Sequence, residues 1–261
     1  LTQARPGDDD GLTMRQLALH ALPGLPPIQA GDDLAALIAA GLARAGLAVQ
    51  PGDVLVVAQK IVSKAEGRAV RLAEVSPSAA AIALAAETGK DPRLVELILR
   101  DAVRVVRSRP NLIIVEHRLG FVMANGGLDQ SNVVGPEQEP QALLLPVDPD
   151  GSAASLSAAL GLPVVISDSF GRAWRRGTVG VAIGAAGLPS LVDLRGQPDM
   201  FGRTLHVSLT GFADEIAAAA GLLMGQGAEA QPVVLLRGLE WTAPPNPAAT
   251  LVRPASEDLF R

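Results

Sequence analysis

Residues 163–166 read as a buried aliphatic strand that stops abruptly at Asp168 and Ser169, with glycines and three arginines, Arg172, Arg175 and Arg176, behind them. A strand edge of this kind holds an acid and a hydroxyl rigidly. Both are oxygen donors suited to a hard cation beside a phosphate. The same segment can be read more simply, as a strand entering a turn with Asp168 as a cap and the arginines solvated. The neighbouring elements limit the folds available. A helix over 32–45 has Asp32 and Asp33 as caps and Leu34, Leu37, Ile38 and Leu42 on one face. Strands are expected at 53–58, 103–107, 112–116, 121–124, 178–186 and 232–236. Helices are expected from Ser76 and Pro77 to Gly89, from Asp91 and Pro92 onward, over 152–160 and over 212–224. Strands and helices do not alternate regularly, which excludes a Rossmann domain and a TIM barrel. An α+β (mixed α/β) architecture with mixed sheets fits.

Composition narrows the function classes. Aromatics are 3% of the chain and tyrosine is absent, so the core must be aliphatic and no base-stacking platform is available. A net charge of −5 also argues against a duplex-binding role, which favours a basic surface. With no cysteine, disulfides, thiolate metal sites and cysteine nucleophiles are excluded. The longest uncharged runs, 151–167 and 177–192, are broken by Gly, Pro, Ser and Thr, and no signal peptide opens the chain. The expectation is a soluble, cytoplasmic protein whose polar residues 1–11 are a trimmed or disordered terminus. At 261 residues it forms one large domain or two intimately packed ones.

Four polar islands interrupt the apolar pattern. The first is Leu25, Pro26, Pro27 and Ile28, otherwise a proline-stiffened entry loop. The second, from Gln59 through Lys60, Ser63 and Lys64 to Gly67 and Arg68, follows a buried strand. It suits a phosphate as well as it suits a solvated basic turn. The third is Asn125, Gly126, Gly127, Asp129, Ser131 and Asn132, where Asp129 and Asn132 can face one small site. The fourth is the loop Met224, Gly225, Gln226, Gly227, Ala228, Glu229, Ala230 and Gln231, which could end a helix or wrap a nucleotide. His20, His117 and His206 share no metal-ligand spacing, and no GxSxG elbow supplies a nucleophile. Together the islands point to metal-assisted phosphoryl chemistry.

In this order the islands (GLPxI, SKAEGR, ANxGxDxSN, ISDSxGRxWRxGxxGxAIG and a helix ending in MGQ) resemble the coenzyme F420-0:L-glutamate ligase family through nearly the whole chain. The resemblance implies a GTP-dependent ligase. It would activate the acceptor's carboxylate as an acyl-phosphate, join it to the amine of L-glutamate, then add further glutamates through γ-linkages. It also implies two packed subdomains, an intertwined homodimer, Mg²⁺ or Mn²⁺ (two divalent ions) and K⁺. By position, Asp129, Asp168 and Ser169 match divalent-metal ligands and Gln226 matches a ligand of a second metal. Leu25 to Ile28, Gln59, Lys64, Asn132 and the 224–231 loop match GTP contacts, and Asp129, Asp168 and Lys64 carry the catalysis. Gln59 departs from the family pattern, which has a small hydroxyl residue there. No nitroreductase-like domain is expected after residue 261. At least one of Arg172, Arg175 and Arg176 is expected to reach an acidic substrate and not GTP; the alternative is that all three are solvated or paired to surface acids. A paralogous ligase acting on another carboxylate and a non-catalytic nucleotide sensor are the competing readings. Retention of Asp129 with Asp168 and Ser169 argues against the sensor.

Overall fold

A computed structural model of the chain describes residues 15–130 and 139–258. The elements in chain order are β1 (Ala18–Ala21), α1 (Leu34–Arg44), β2 (Val54–Ala58), α2 (Gln59–Ala65), β3 (Ala69–Arg71), α3 (Ala79–Thr88), α4 (Pro92–Arg100), β4 (Ala102–Arg109), β5 (Leu112–His117), β6 (Val122–Ala124), β7 (Gln141–Leu143), α5 (Pro149–Leu160), β8 (Val164–Gly171), β9 (Thr178–Ala186), β10 (Val192–Asp193), β11 (Leu209–Thr210), α6 (Phe212–Met224) and β12 (Val233–Arg237). The fold is α+β.

A five-stranded sheet in the order β1-β12-β2-β8-β9 forms the centre, and β2 with β8 is its only parallel pair among the described residues. Alternation along β2 and β8 sends Leu55, Val57, Val164 and Ile166 to one face and Val54, Val56 and Val165 to the other. The first face packs against α1 and α5, the second against α6. Both cores are almost wholly aliphatic, as the scarcity of aromatics requires. A separate three-stranded sheet, β4-β5-β6, packs Ile113 and Val115 on α3 and α4, and β3 pairs with β7.

Helix ends follow their capping residues. Asp33 accepts from Ala36 N at 3.0 Å, Asp91 precedes a proline in the first turn of α4, and Gly89 and Gly161 close α3 and α5 in the left-handed region. Two helices start elsewhere than expected. The helix expected from Ser76 begins at Ala79, because Ser78 supplies the cap to Ala81 N. The helix expected from 152 begins at Pro149, because Asp148 caps it and the proline occupies its first turn.

Two corrections bear on the site. The strand read as stopping at Ile166 runs on to Gly171, because β9 pairs with it along that whole length. The basic segment after β2, read as a strand-end turn, is the helix α2. The register between β8 and β9 slips after Ile166. Ile166 faces Gly184 while Ser167 faces Ala182, leaving Ile183 extra. This bulge turns two glycines of equal parity to opposite faces. A Cβ at Gly180 would collide with the carbonyl of Ala217 in α6, and one at Gly184 with the carbonyl of Pro149 in α5. Both helices therefore lie directly on β9.

Candidate active site

The site grows from the point where the parallel pair ends. The last parallel partners are Ala58 and Ser167; beyond them β2 turns into α2 while β8 continues against β9 alone. Asp168 and Ser169 consequently stand past the end of β2, beside the first turn of α2. Asp168 Oδ1 accepts from Ser169 N at 2.8 Å. A cavity of about 490 Å³ opens here.

Four segments far apart in sequence wall this cavity. Leu25 to Ile28 contribute one side, Gln59, Lys60 and Lys64 another, and Ser167, Asp168 and Ser169 the floor. The C-terminal half of α6 and its following loop, with Met224, Gly225, Gln226, Gly227, Ala228, Ala230 and Gln231, close the remainder. Gly225 ends α6 at φ +68, and Glu229 folds back so that its carboxylate accepts from Gly227 N at 2.7 Å. Glu229 is the one residue of that loop outside the cavity lining. The Gln231 side-chain oxygen is buried without a hydrogen-bond partner among the described residues.

Gln59 is buried and its amide oxygen accepts from Ser63 at 2.9 Å, one turn further on. Part of its hydrogen-bonding capacity is thus spent inside α2. Lys60 and Lys64 share one face of α2 four residues apart. Lys60 Nζ lies 2.5 Å from Asp129 Oδ2, which ties the third island to a lining residue, although Asp129 itself is not part of the cavity lining. Asp129 itself is fixed by two backbone hydrogen bonds with Leu143, at 3.0 and 2.8 Å. Asn132, assigned to the same island, lies outside the described residues. Arg172, Arg175 and Arg176 do not line the cavity; they sit at the turn joining β8 to β9.

Burial and the charges of neighbouring groups set the electrostatics. Asp168 still opens onto the cavity, but burial pushes its carboxyl up to about 6. The hydrogen bond from Ser169 opposes that rise, the nearby charge of Asp129 adds to it, and Lys60 opposes it. Lys64 is displaced below its ordinary value by burial and then by Lys60, with Asp129 counteracting both. Asp168 and Lys64, both in the cavity lining, are thus displaced by burial and by the neighbouring charges of Asp129 and Lys60, an arrangement typical of sites that handle charged ligands. The sequence offers both Lys60 and Lys64 to a phosphate. Their i, i+4 relation becomes meaningful only once the segment is helical.

Comparison with known proteins agrees with the order of the motifs. A sequence model of the F420-0:Gamma-glutamyl ligase family matches residues 24–238. The chain belongs to this family. It is 44% identical over 253 residues to the coenzyme F420:L-glutamate ligase of Methanothermobacter thermautotrophicus, covering 94% of this chain and 99% of that protein. To the enzyme of the same name from Methanopyrus kandleri it is 43% identical over 255 residues, covering 94% and 98%. The Archaeoglobus fulgidus enzyme of that name is 41% identical over 252 residues, covering 94% and 97%.

A divalent cation, which family membership implies, fits the donors present. Asp129, Asp168, Ser169 and Gln226 offer only hard oxygen atoms, and the mutual repulsion recorded in Asp168 is what a cation relieves. Among the described residues no group of three or more His, Cys, Asp or Glu converges. Two carboxylates supplemented by substrate phosphate oxygens is the pattern magnesium favours. No helix among the described residues is long and apolar enough to cross a membrane.

Proposed function

We propose that this chain ligates L-glutamate to coenzyme F420-0 at the expense of GTP, forming the first amide and then γ-linked glutamates. The carrying observation is the convergence of four remote segments on one cavity, with Asp168, Lys60 and Lys64 in its lining and Asp129 paired to Lys60. In the first step a carboxylate oxygen of the acceptor attacks the γ-phosphorus, the bond to the bridging oxygen breaks, and GDP leaves. In the second, the glutamate nitrogen attacks the acyl carbon, the carbon–oxygen bond to phosphate breaks, and the ammonium proton is lost with phosphate departing.

The residues supply what this chemistry requires. Bringing a carboxylate to a triphosphate opposes anions at about 3–4 Å, roughly 4 kcal/mol per unit pair at an effective dielectric near 20. Lys64 and Lys60, on one helical face, offset that charge. Asp129, Asp168, Ser169 and Gln226 would hold divalent ions, which supply polarisation of the phosphoryl group when bound. The backbone amides of the 225–231 loop, most of whose residues line the cavity, suit a nucleotide. Positioning of nucleophile and phosphorus in line could lower the barrier by about 7–11 kcal/mol without a covalent enzyme intermediate.

Incubation with GTP, L-glutamate and coenzyme F420-0, followed by mass spectrometry, tests this reading. Glutamyl adducts formed together with GDP support it. GDP released only with another carboxylate acceptor points to a paralogous ligase, and nucleotide binding without turnover for every acceptor points to a sensor.

A further inference from the structure

We infer that Trp174, at the tip of the β8–β9 hairpin, is the platform on which the flat ring system of the acceptor stacks, with the adjacent arginines gripping its phosphodiester. This inference rests on the ligase reading. Two observations single out Trp174. Its indole is 88% exposed, and its backbone lies at φ +64, a left-handed conformation that bulky residues rarely adopt. Single exposed apolar residues are ordinary, but a strained one points to use, because a glycine would occupy that turn at no cost. The other tryptophan, Trp241, packs against Phe212 at 6.1 Å.

The surroundings indicate what the platform receives. Arg172, Arg175 and Arg176 share the β8–β9 turn with Trp174, and among the described residues none of them pairs with a carboxylate; Arg172 donates to the Gly177 carbonyl at 3.3 Å. By contrast, Arg195, Arg93 and Arg237 each hold an aspartate. Arginines without a carboxylate partner in the same turn as an open indole suit a ligand that is both anionic and aromatic. Strand β8 links the two places. From Asp168 to Gly171 it advances about 10 Å at roughly 3.3 Å per residue. Phe170, between them, packs edge-on against Phe121 at 5.7 Å and steadies that span. An acceptor with its carboxylate at Asp168 and its ring at Trp174 would lay its phosphodiester beside the arginines.

The test uses the full chain in steady-state ligation and in a binding titration. W174A should raise KM for coenzyme F420-0 roughly 5- to 150-fold, the usual range for a lost stacking partner. KM for GTP should stay unchanged, and W174F should restore most of the loss. In W241F protein, where Trp174 is the remaining tryptophan, coenzyme F420-0 should quench emission saturably, whereas ring-less 2-phospholactate should not. A W174A enzyme with wild-type KM for the coenzyme, a parallel rise in KM for GTP, an effect confined to kcat, or unquenched emission would each overturn the assignment. Absence of glutamate addition by the wild-type chain would instead remove the ligase reading, and the titration would still decide whether the ring binds at Trp174.

Discussion

The two ends of the parallel pair in the central sheet treat a carboxylate in opposite ways. At the start of β2, Asp53 is buried, 1% exposed, and fully satisfied. Arg237 grips both of its oxygens at 2.8 Å and Gln50 N donates at 2.8 Å. Burial alone would push the acid up, yet these bonds and the guanidinium charge hold it below its ordinary value. At the far end, Asp168 has the Ser169 amide and the more distant Lys60, while it faces a second carboxylate; it is pushed up to about 6. One sheet therefore carries one acid whose needs are met inside the protein and one whose needs are not. The first holds strands together, and the second is available to a ligand.

Exchanging the two roles is the most direct way to break this contrast. Asp168→Asn should lower ligation at least about 10²- to 10³-fold, the range for loss of a positioned electrostatic group, while leaving thermal stability equal or slightly higher. Activity and melting temperature measured on the same preparation check it, and a melting temperature that falls with activity would erase the distinction. Asp53→Asn should do the reverse. It removes the charge and one of the two acceptor oxygens, leaving Arg237 one amide oxygen and the Ala48 carbonyl at 2.7 Å, and should cost about 3 kcal/mol of stability by urea unfolding, with KM for GTP unchanged. Lys64→Ala sharpens the comparison on the cavity side. Loss of one charge-assisted contact, about 1.5–3 kcal/mol, should weaken GTP roughly 10- to 150-fold in direct calorimetry; wild-type affinity would exclude Lys64 from the phosphate site.

The smallest effect expected is on the pH dependence of stability. Asp53 has a depressed folded value, so its contribution is present above the ordinary 3.8 and is lost as pH falls through the folded value. For Asp168 the sign reverses. Between 3.8 and about 6 the folded protein binds more protons than the unfolded chain, so stability declines as pH rises through that window. Asp168→Asn removes this penalty. Its stability relative to wild type should be unchanged near the bottom of the window, rise through it and level off above about pH 6; a constant difference across the window would show that Asp168 is not perturbed.

Much of the fold is legible in the residues because local signals were unambiguous. Asp33, Asp91 and Gly89 mark helix ends, and the aliphatic run of β2 marks a strand buried on both faces. The short strands β1, β3 and β7 carry too few residues for a period to show, and β3 finds its partner about seventy positions away in Gln141–Leu143. The helix α2 was misread for a related reason. Seven residues with one buried face look like a turn when lysine and serine dominate.

The sequence by itself determined the residue types of the site and their order along the chain, since oxygen ligands, lysines and glycine loops are written in its motifs. Only the tertiary structure decided which of them meet. Lys60 reaches Asp129 across sixty-nine positions because α2 and the β7 bridge lie side by side, and no local signal carries that separation. Likewise, Asp168 is perturbed because the parallel pair ends at Ala58 and Ser167, which leaves its carboxylate buried at the cavity and within reach of the charge of Asp129. Burial and Coulomb interaction depend on distance through space, so a sequence can name the charges without stating their energy.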